Sequence, residues 1–256
     1  EEIFAKLFSD LEVGTKPSYL SYAFETSSEL PDVSEVAWDC EEILRRLPFG
    51  RKSLKKLSRS SLLALYSVKE ALEDAGDELA FIARHRIGIF CGTSLGGAND
   101  LEGLVTDYER NGKARGIHRA LSGKLMNIVD EVADRFKITG PRSLISTACS
   151  SSSLAIKAAS LKLKSGEIDA AIVIGVDPVT KLTLAGFHAL GAQSKEKCRP
   201  FSIGEPGLML GEGAAVLVLK AGSSTKAKWG WLGGAGVSLD GYHPTAPEPS
   251  GKFAKQ

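Results

Sequence analysis

Short apolar runs alternating with helix-length amphipathic stretches constrain the fold of this chain more than any other feature. Arg86-Ile87-Gly88-Ile89-Phe90-Cys91, Asp169 to Gly175 and Gly213 to Leu219 each read as a buried strand. Between and before them, Ser58–Ala75, about Asp100 to Arg110, Ser122–Phe136 and Leu182–Leu190 read as helices. The first of these carries an apolar stripe through Leu62, Leu65, Val68 and Leu72 and stops at Gly76. Strand–helix–strand alternation predicts an α/β fold, a sheet covered by helices on both faces. Residues 1–50 are mixed, with turns expected near Gly14, Pro17 and Pro31. Trp229 to Gly234 is expected to continue as an edge or crossing strand, and Tyr242 to Gly251 as a proline-bearing loop.

Thr147-Ala148-Cys149-Ser150-Ser151-Ser152-Ser153 places a cysteine where an apolar run, Ser143 to Ser146, gives way to a helical pattern from Leu154. A helix start presents unpaired N–H groups and the positive end of a dipole. Both favour the thiolate, the reactive form of the side chain. The small residues around Cys149 leave its sulfur accessible. A cysteine at such a junction is also an ordinary small buried residue, and both readings stay open on residue chemistry alone.

Partners for a nucleophile are not evident from spacing. Of the four histidines, His85 sits between arginines and reads as solvated, and His118 lies in a polar linker. His188 faces either way from a short helix. His243, in the terminal loop, is the one candidate held open. Gly92-Thr93-Ser94-Leu95-Gly96-Gly97 is neither GxGxxG nor a P-loop. Its glycines suit close approach of a backbone or a thin substrate rather than phosphate binding.

The 256 residues suffice for a substantial core, and a formal net charge of +1 gives no global field for nucleic acid or an acidic membrane. Arg51, Lys52, Lys55, Lys56 and Arg59 form a local basic cluster, expected to be a solvated helix face; a docking patch for an acidic partner is the sharper alternative. Cys40, Cys91, Cys149 and Cys198 match no metal-ligand spacing, and so few cysteines in a chain this long point to a reducing, cytoplasmic setting. No apolar run reaches the roughly 18 residues of a membrane span, and no signal peptide opens the chain.

Several blocks, in order, resemble the amino-terminal half of the β-ketoacyl-acyl-carrier-protein synthases, condensing enzymes of the thiolase-like superfamily. They are the glycine turn Gly92–Gly97, the Cys149 motif, the strand Asp169–Asp177, Cys198-Arg199-Pro200-Phe201 with Gly211-Glu212-Gly213-Ala214-Ala215, and Tyr242-His243-Pro244-Thr245-Ala246-Pro247. The similarity runs from about Phe49 to Gly251. It implies a layered fold with helices sandwiching a mixed sheet, and residues 1–256 as the amino-terminal domain only.

The resemblance also implies an acyltransferase of fatty-acid or polyketide synthesis performing decarboxylative condensation. Cys149 would be the acyl-accepting nucleophile. Phe187 and Leu95 would line the acyl pocket, and His243 and Thr245 would flank the pantetheine channel. No metal or other cofactor is implied beyond the phosphopantetheine arm of an acyl carrier protein, which acts as substrate carrier. Acyl and malonyl thioesters and a homodimer, formed through about Arg142 to Ser146, are the implied partners; nucleic acid and membrane are not. The family's histidine- and lysine-bearing motifs and its opening strand are missing from this sequence. The chain alone is therefore expected not to complete condensation. Ser202 and Glu205-Pro206 replace a family acid and an Arg–Asp pair, which leaves room for a specialised polyketide or polyene role.

Rival readings are a non-catalytic ketosynthase-like heterodimer partner, a coenzyme A-dependent thiolase, and an unrelated α/β domain with a buried cysteine. Cys149 argues against the first, because such partners usually lack it. The GEGAA and YHxTAP blocks argue against the second.

Overall fold

Apolar alternation along two central strands organises the molecule. The structure is a computed structural model that describes residues 11–15, 33–36, 40–113, 124–194, 198–199, 202–204, 207–222, 227–243 and 246–255. In chain order the elements are β1 (Leu11–Thr15), β2 (Val33–Val36), α1 (Cys40–Arg46), α2 (Arg51–Leu54), α3 (Arg59–Ala75), β3 (Ile87–Gly92), α4 (Ala98–Asn111), α5 (Asn127–Phe136), β4 (Arg142–Ile145), α6 (Ser151–Lys164), β5 (Ala170–Asp177), α7 (Lys181–Ala189), β6 (Leu210–Gly211) and β7 (Gly213–Lys220).

The main sheet has the order β4-β3-β5-β7. β4, β3 and β5 run parallel, and β7 pairs antiparallel to β5 from Ala170↔Lys220 to Asp177↔Gly213. Side chains on a strand alternate between faces. Ile87, Ile89, Ile172, Ile174 and Val176 accordingly join one core cluster with Leu62, Leu65 and Val68 of α3 and Val129 and Val132 of α5. Phe90, Ala171 and Val173 point the other way, to Ala155 and Ala159 of α6. Each fully buried large side chain contributes about 1.5–3 kcal/mol. The sheet thus has helices on both faces and mixed strand directions, as the sequence predicts. A second, smaller sheet has the order β1-β2-β6.

Most predicted elements fall within two residues of their places. Ser58 caps α3, its hydroxyl accepting the Ser61 N–H at 3.1 Å, and Gly76 follows the last turn. Five expectations need correction. Gly213 to Leu219 lies in β7, an edge strand of the main sheet none of whose residues is buried. The helix expected from Ser122 begins at Asn127, after a turn over Leu125–Met126. Gly14 lies inside β1, where the register shifts between Val13 and Thr15, and is not a chain-reversing turn; Pro17 and Pro31 lie outside the described residues. Trp229–Gly234 belongs to no strand, because no neighbouring edge pairs with it. Arg59 is not part of the solvated basic face: its side chain is buried against Glu212, whereas Arg51, Lys52, Lys55 and Lys56 are exposed.

The candidate active site

The carboxyl ends of parallel strands are where α/β sheets present their sites, and Cys149 lies there. β4 ends at Ile145 and α6 begins at Ser151, so the cysteine occupies the sharp connection between them. The preceding residue, Ala148, has φ 53°, a left-handed conformation rare for a residue with a side chain. That reversal leaves Cys149 exposed to solvent immediately before the helix start. The buried-cysteine reading is therefore excluded.

Serines brace the elbow. The Ser151 hydroxyl accepts the Thr147 N–H at 2.9 Å and donates to the Ala148 carbonyl at 2.6 Å. The Ser150 hydroxyl donates to the Thr147 carbonyl at 2.9 Å. These contacts turn the chain back on itself across Cys149 and hold the strained Ala148 in place.

Two glycines set how deeply α6 enters the sheet. A Cβ on Gly92 would fall within the backbone of Ser151 and Ser152, and one on Gly175 would lie 2.7 Å from the Ser152 Oγ. At Gly92 only glycine lets the helix start reach the strand so closely, whereas at Gly175 the near contact is a side chain. The close approach of backbone expected of the glycine turn is present at Gly92.

Leu95 belongs to the same corner. The Thr93 N–H donates to the Ile145 carbonyl, joining the glycine turn to the strand that leads into the elbow. Asp177, the last residue of β5, accepts from the Thr93 hydroxyl (2.8 Å), the Ser94 N–H (2.8 Å) and the Leu95 N–H (3.0 Å), all on Oδ1. In the sequence Asp177 stands out only as the end of the strand Asp169–Asp177. An acid directly after a buried apolar run is the signal that could have marked it as an anchor.

Phe187 is half-buried on α7. That helix starts four residues after Asp177, with a capping box between Thr180 and Thr183. Glu102 of α4 completes the cap: its two carboxylate oxygens accept the Lys181 N–H at 3.0 Å and the Leu182 N–H at 2.8 Å. His188, on the same helix, is exposed, and so is His85.

The structure thus brings Leu95 and Cys149 to one corner, with Phe187 on the adjoining helix. His243 is exposed, in a segment without regular structure. That segment is anchored at Asp74, which accepts from Lys228 Nζ and, at 3.0 Å, from Trp229 Nε1. Glu78, one turn on from Asp74, pairs with Lys220, opposite Ala170 at the start of β5. The anchor therefore lies at the opposite end of the sheet from the elbow. Thr245, His118, Pro200-Phe201 and Glu205-Pro206 lie outside the described residues.

Cys91 contrasts with Cys149. Burial, aided by the nearby Asp177 charge, pushes its thiol up to about 12, so it remains protonated and inert. Among the described residues no group of three or more His, Cys, Asp or Glu side chains is placed to hold a metal ion, and no helix is long and apolar enough to cross a membrane.

Comparison with known proteins joins this geometry to a family. The family model for the beta-ketoacyl synthase N-terminal domain matches residues 47–224. The chain is 31% identical over 206 residues to nodulation protein E of Rhizobium meliloti, covering 78% of this chain and 51% of that protein. It is 29% identical over 213 residues to 3-oxoacyl-[acyl-carrier-protein] synthase 2 of Staphylococcus aureus, covering 79% and 53%. Among solved structures, the ketosynthase ApeO in complex with its chain length factor ApeC, from Xenorhabdus doucetiae, matches with a TM-score of 0.73 at 29% identity, over 87% of this chain and 54% of that one. A beta-ketoacyl synthase from Burkholderia phymatum shares the fold, with a TM-score of 0.71 at 23% identity, covering 86% of this chain and 54% of that one. The layered, thiolase-like fold expected from sequence is thereby established. The chain spans about half the length of the curated relatives it matches.

Proposed function

Since the chain belongs to the β-ketoacyl synthase family, through that family's amino-terminal domain, we propose that it supplies the nucleophile of a condensing acyltransferase in fatty-acid or polyketide synthesis. The observation carrying this reading is the exposed Cys149 on a braced, left-handed elbow directly before α6.

The sulfur of Cys149 attacks the carbonyl carbon of an acyl group held on the phosphopantetheine arm of an acyl carrier protein. The carbon–sulfur bond to the arm breaks, the arm leaves as its thiol, and the acyl group becomes a thioester on Cys149. The backbone N–H of Cys149 supplies one donor to the transient oxyanion. A malonyl thioester then loses carbon dioxide, and the electron pair of that bond becomes a carbanion. The carbanion attacks the Cys149 thioester carbonyl, and the electron pair of the broken bond returns to sulfur.

Leu95 and Phe187 would form walls of the acyl channel, and His243 and Thr245 would flank the route of the pantetheine arm. The chain would need no metal or other cofactor of its own. A homodimer would form along β4, an edge strand of the main sheet. Because the relatives are about twice as long, the groups that assist decarboxylation are sought beyond these 256 residues, and the 256 residues alone are expected not to condense.

The test is intact-mass analysis of the complete polypeptide carrying this chain after exposure to acyl-carrier thioesters. Unmodified protein should gain one acyl mass, and Cys149→Ala none. Retained acylation in Cys149→Ala would remove the cysteine from this role. A non-catalytic partner subunit would show no acyl gain in either form.

A further inference from the structure

Two carboxylates clasp the corner beside Cys149 from opposite directions. Asp177, at the end of β5, reaches across to the Ser94 and Leu95 amides of the glycine turn. Glu102 reaches back the other way, from the helix that follows this turn to the start of α7, the helix that follows β5. A third tie runs alongside: Lys181 Nζ lies 3.5 Å from the Thr106 hydroxyl, one turn beyond Glu102 on α4. Glu102 thereby couples the helix that follows the Leu95 turn to the helix bearing Phe187 through two amides.

We infer that Glu102 is a positioning residue that sets the gap between Leu95 and Phe187, and through it the length of acyl chain that Cys149 accepts. This rests on the reading of those two side chains as acyl-channel walls. The physical reason is specific to this carboxylate. Glu102 stands on α4, no residue of which is buried, and its carboxylate engages the body through the two N–H groups of α7. A carboxylate offers a separate oxygen to each amide, as here, and it favours the positive end of a helix dipole. Without it, the Thr180–Thr183 capping box still starts α7, but of the named ties between that start and α4 only the 3.5 Å contact of Lys181 Nζ with Thr106 remains. The helix would persist with its placement loosened to what the Lys181–Thr106 contact retains, and a channel wall displaced by a fraction of a methylene changes discrimination between chain lengths.

The experiment uses the complete polypeptide and measures acylation rates of Cys149 with short- and long-chain acyl-carrier thioesters. Iodoacetamide alkylation of Cys149 runs in parallel, because that reagent is too small to sense the channel walls. In Glu102→Ala, the ratio of long- to short-chain acylation should shift about tenfold, with alkylation within about twofold of the unmodified protein. Amide exchange at Lys181 and Leu182 should accelerate. Glu102→Gln, whose amide oxygen can accept one of the two N–H groups, should fall between the two and serves as the test if the alanine variant does not fold. An unchanged chain-length ratio, with exchange accelerated, would overturn the inference. So would parallel loss of acylation and alkylation in both variants, since Glu102 would then only support the fold. Failure of the unmodified protein to take up any acyl chain would instead overturn the proposed function.

Discussion

Arg59 and Glu212 lie 153 positions apart in sequence and meet as a forked ion pair, with Arg59 Nε 3.0 and 2.9 Å from the two Glu212 oxygens and Nη2 also engaged. The Glu212 side chain has no solvent exposure, and that of Arg59 has 11%. The pair raises the Arg59 pKa against the opposing effect of its burial, so the guanidinium stays charged. It ties the first turn of α3 to the chain between β6 and β7. Breaking one side of a buried pair leaves an uncompensated charge and costs about 3–5 kcal/mol. Glu212→Ala should therefore lower stability by about 3 kcal/mol in urea unfolding, whereas the double variant Arg59→Met with Glu212→Leu should recover most of that loss. A double variant no better than the single one would show that the pair carries more than its own charges.

The two strand-end glycines should differ in their tolerance of alanine. At Gly92 a Cβ meets backbone at the head of α6, which cannot turn aside. Overpacking of this kind costs about 1–3 kcal/mol, and Gly92→Ala should also slow Cys149 alkylation as the helix start is displaced. At Gly175 the obstacle is the Ser152 hydroxyl, a side chain free to rotate. Gly175→Ala should cost less than Gly92→Ala in the same denaturation series, with Cys149 alkylation nearly unchanged.

Thiol labelling of the native chain should separate the cysteines by environment. Cys91, buried and pushed up to about 12, should resist iodoacetamide near neutral pH. Cys149, exposed at the elbow, should react first, ahead of Cys40 and Cys198. Peptide mass spectrometry over a time course reads the order, and full unfolding should equalise the rates.

Arg86 and Asp169 join the starts of β3 and β5, with Nε 2.9 Å from Oδ2. Hydrogen bonding to the guanidinium holds the Asp169 carboxyl below its ordinary value of 3.8. A carboxylate whose folded pKa is depressed adds stability above its unfolded pKa and loses that contribution as pH falls through the folded one. Asp169→Asn should therefore melt below the unmodified chain at neutral pH, and the two melting curves should converge as the pH drops beneath 3.8. A gap independent of pH would remove the ionised carboxyl as its cause.

The sequence reveals what depends on neighbours along the chain. Ile87–Gly92 and Ala170–Asp177 were legible because a buried strand is written as an uninterrupted apolar run, whereas Gly213–Lys220 was legible as a strand but not as the edge strand without a buried residue that it forms. Cys149 was legible because small residues, a strand end and a helix pattern meet there within a few positions. The anchors were not legible. Glu102 acts on amides 79 and 80 positions away, and Asp177 on groups 82 to 84 away. Arg59 was grouped with Arg51 and Lys55 because charge type does not tell which side of a helix meets a distant carboxylate. Trp229–Gly234 fails as a strand for a related reason: its residues suit extended backbone, but a strand exists only where an edge accepts its hydrogen bonds.

Among the described residues, the contacts named at the Cys149 elbow come from the stretch between Ile87 and Asp177, whereas Phe187 and His243 lie downstream of it. The elbow is thus built within one contiguous stretch of sequence, which also carries Leu95 and Glu102. Substitutions beyond β5 can therefore leave the setting of Cys149 untouched.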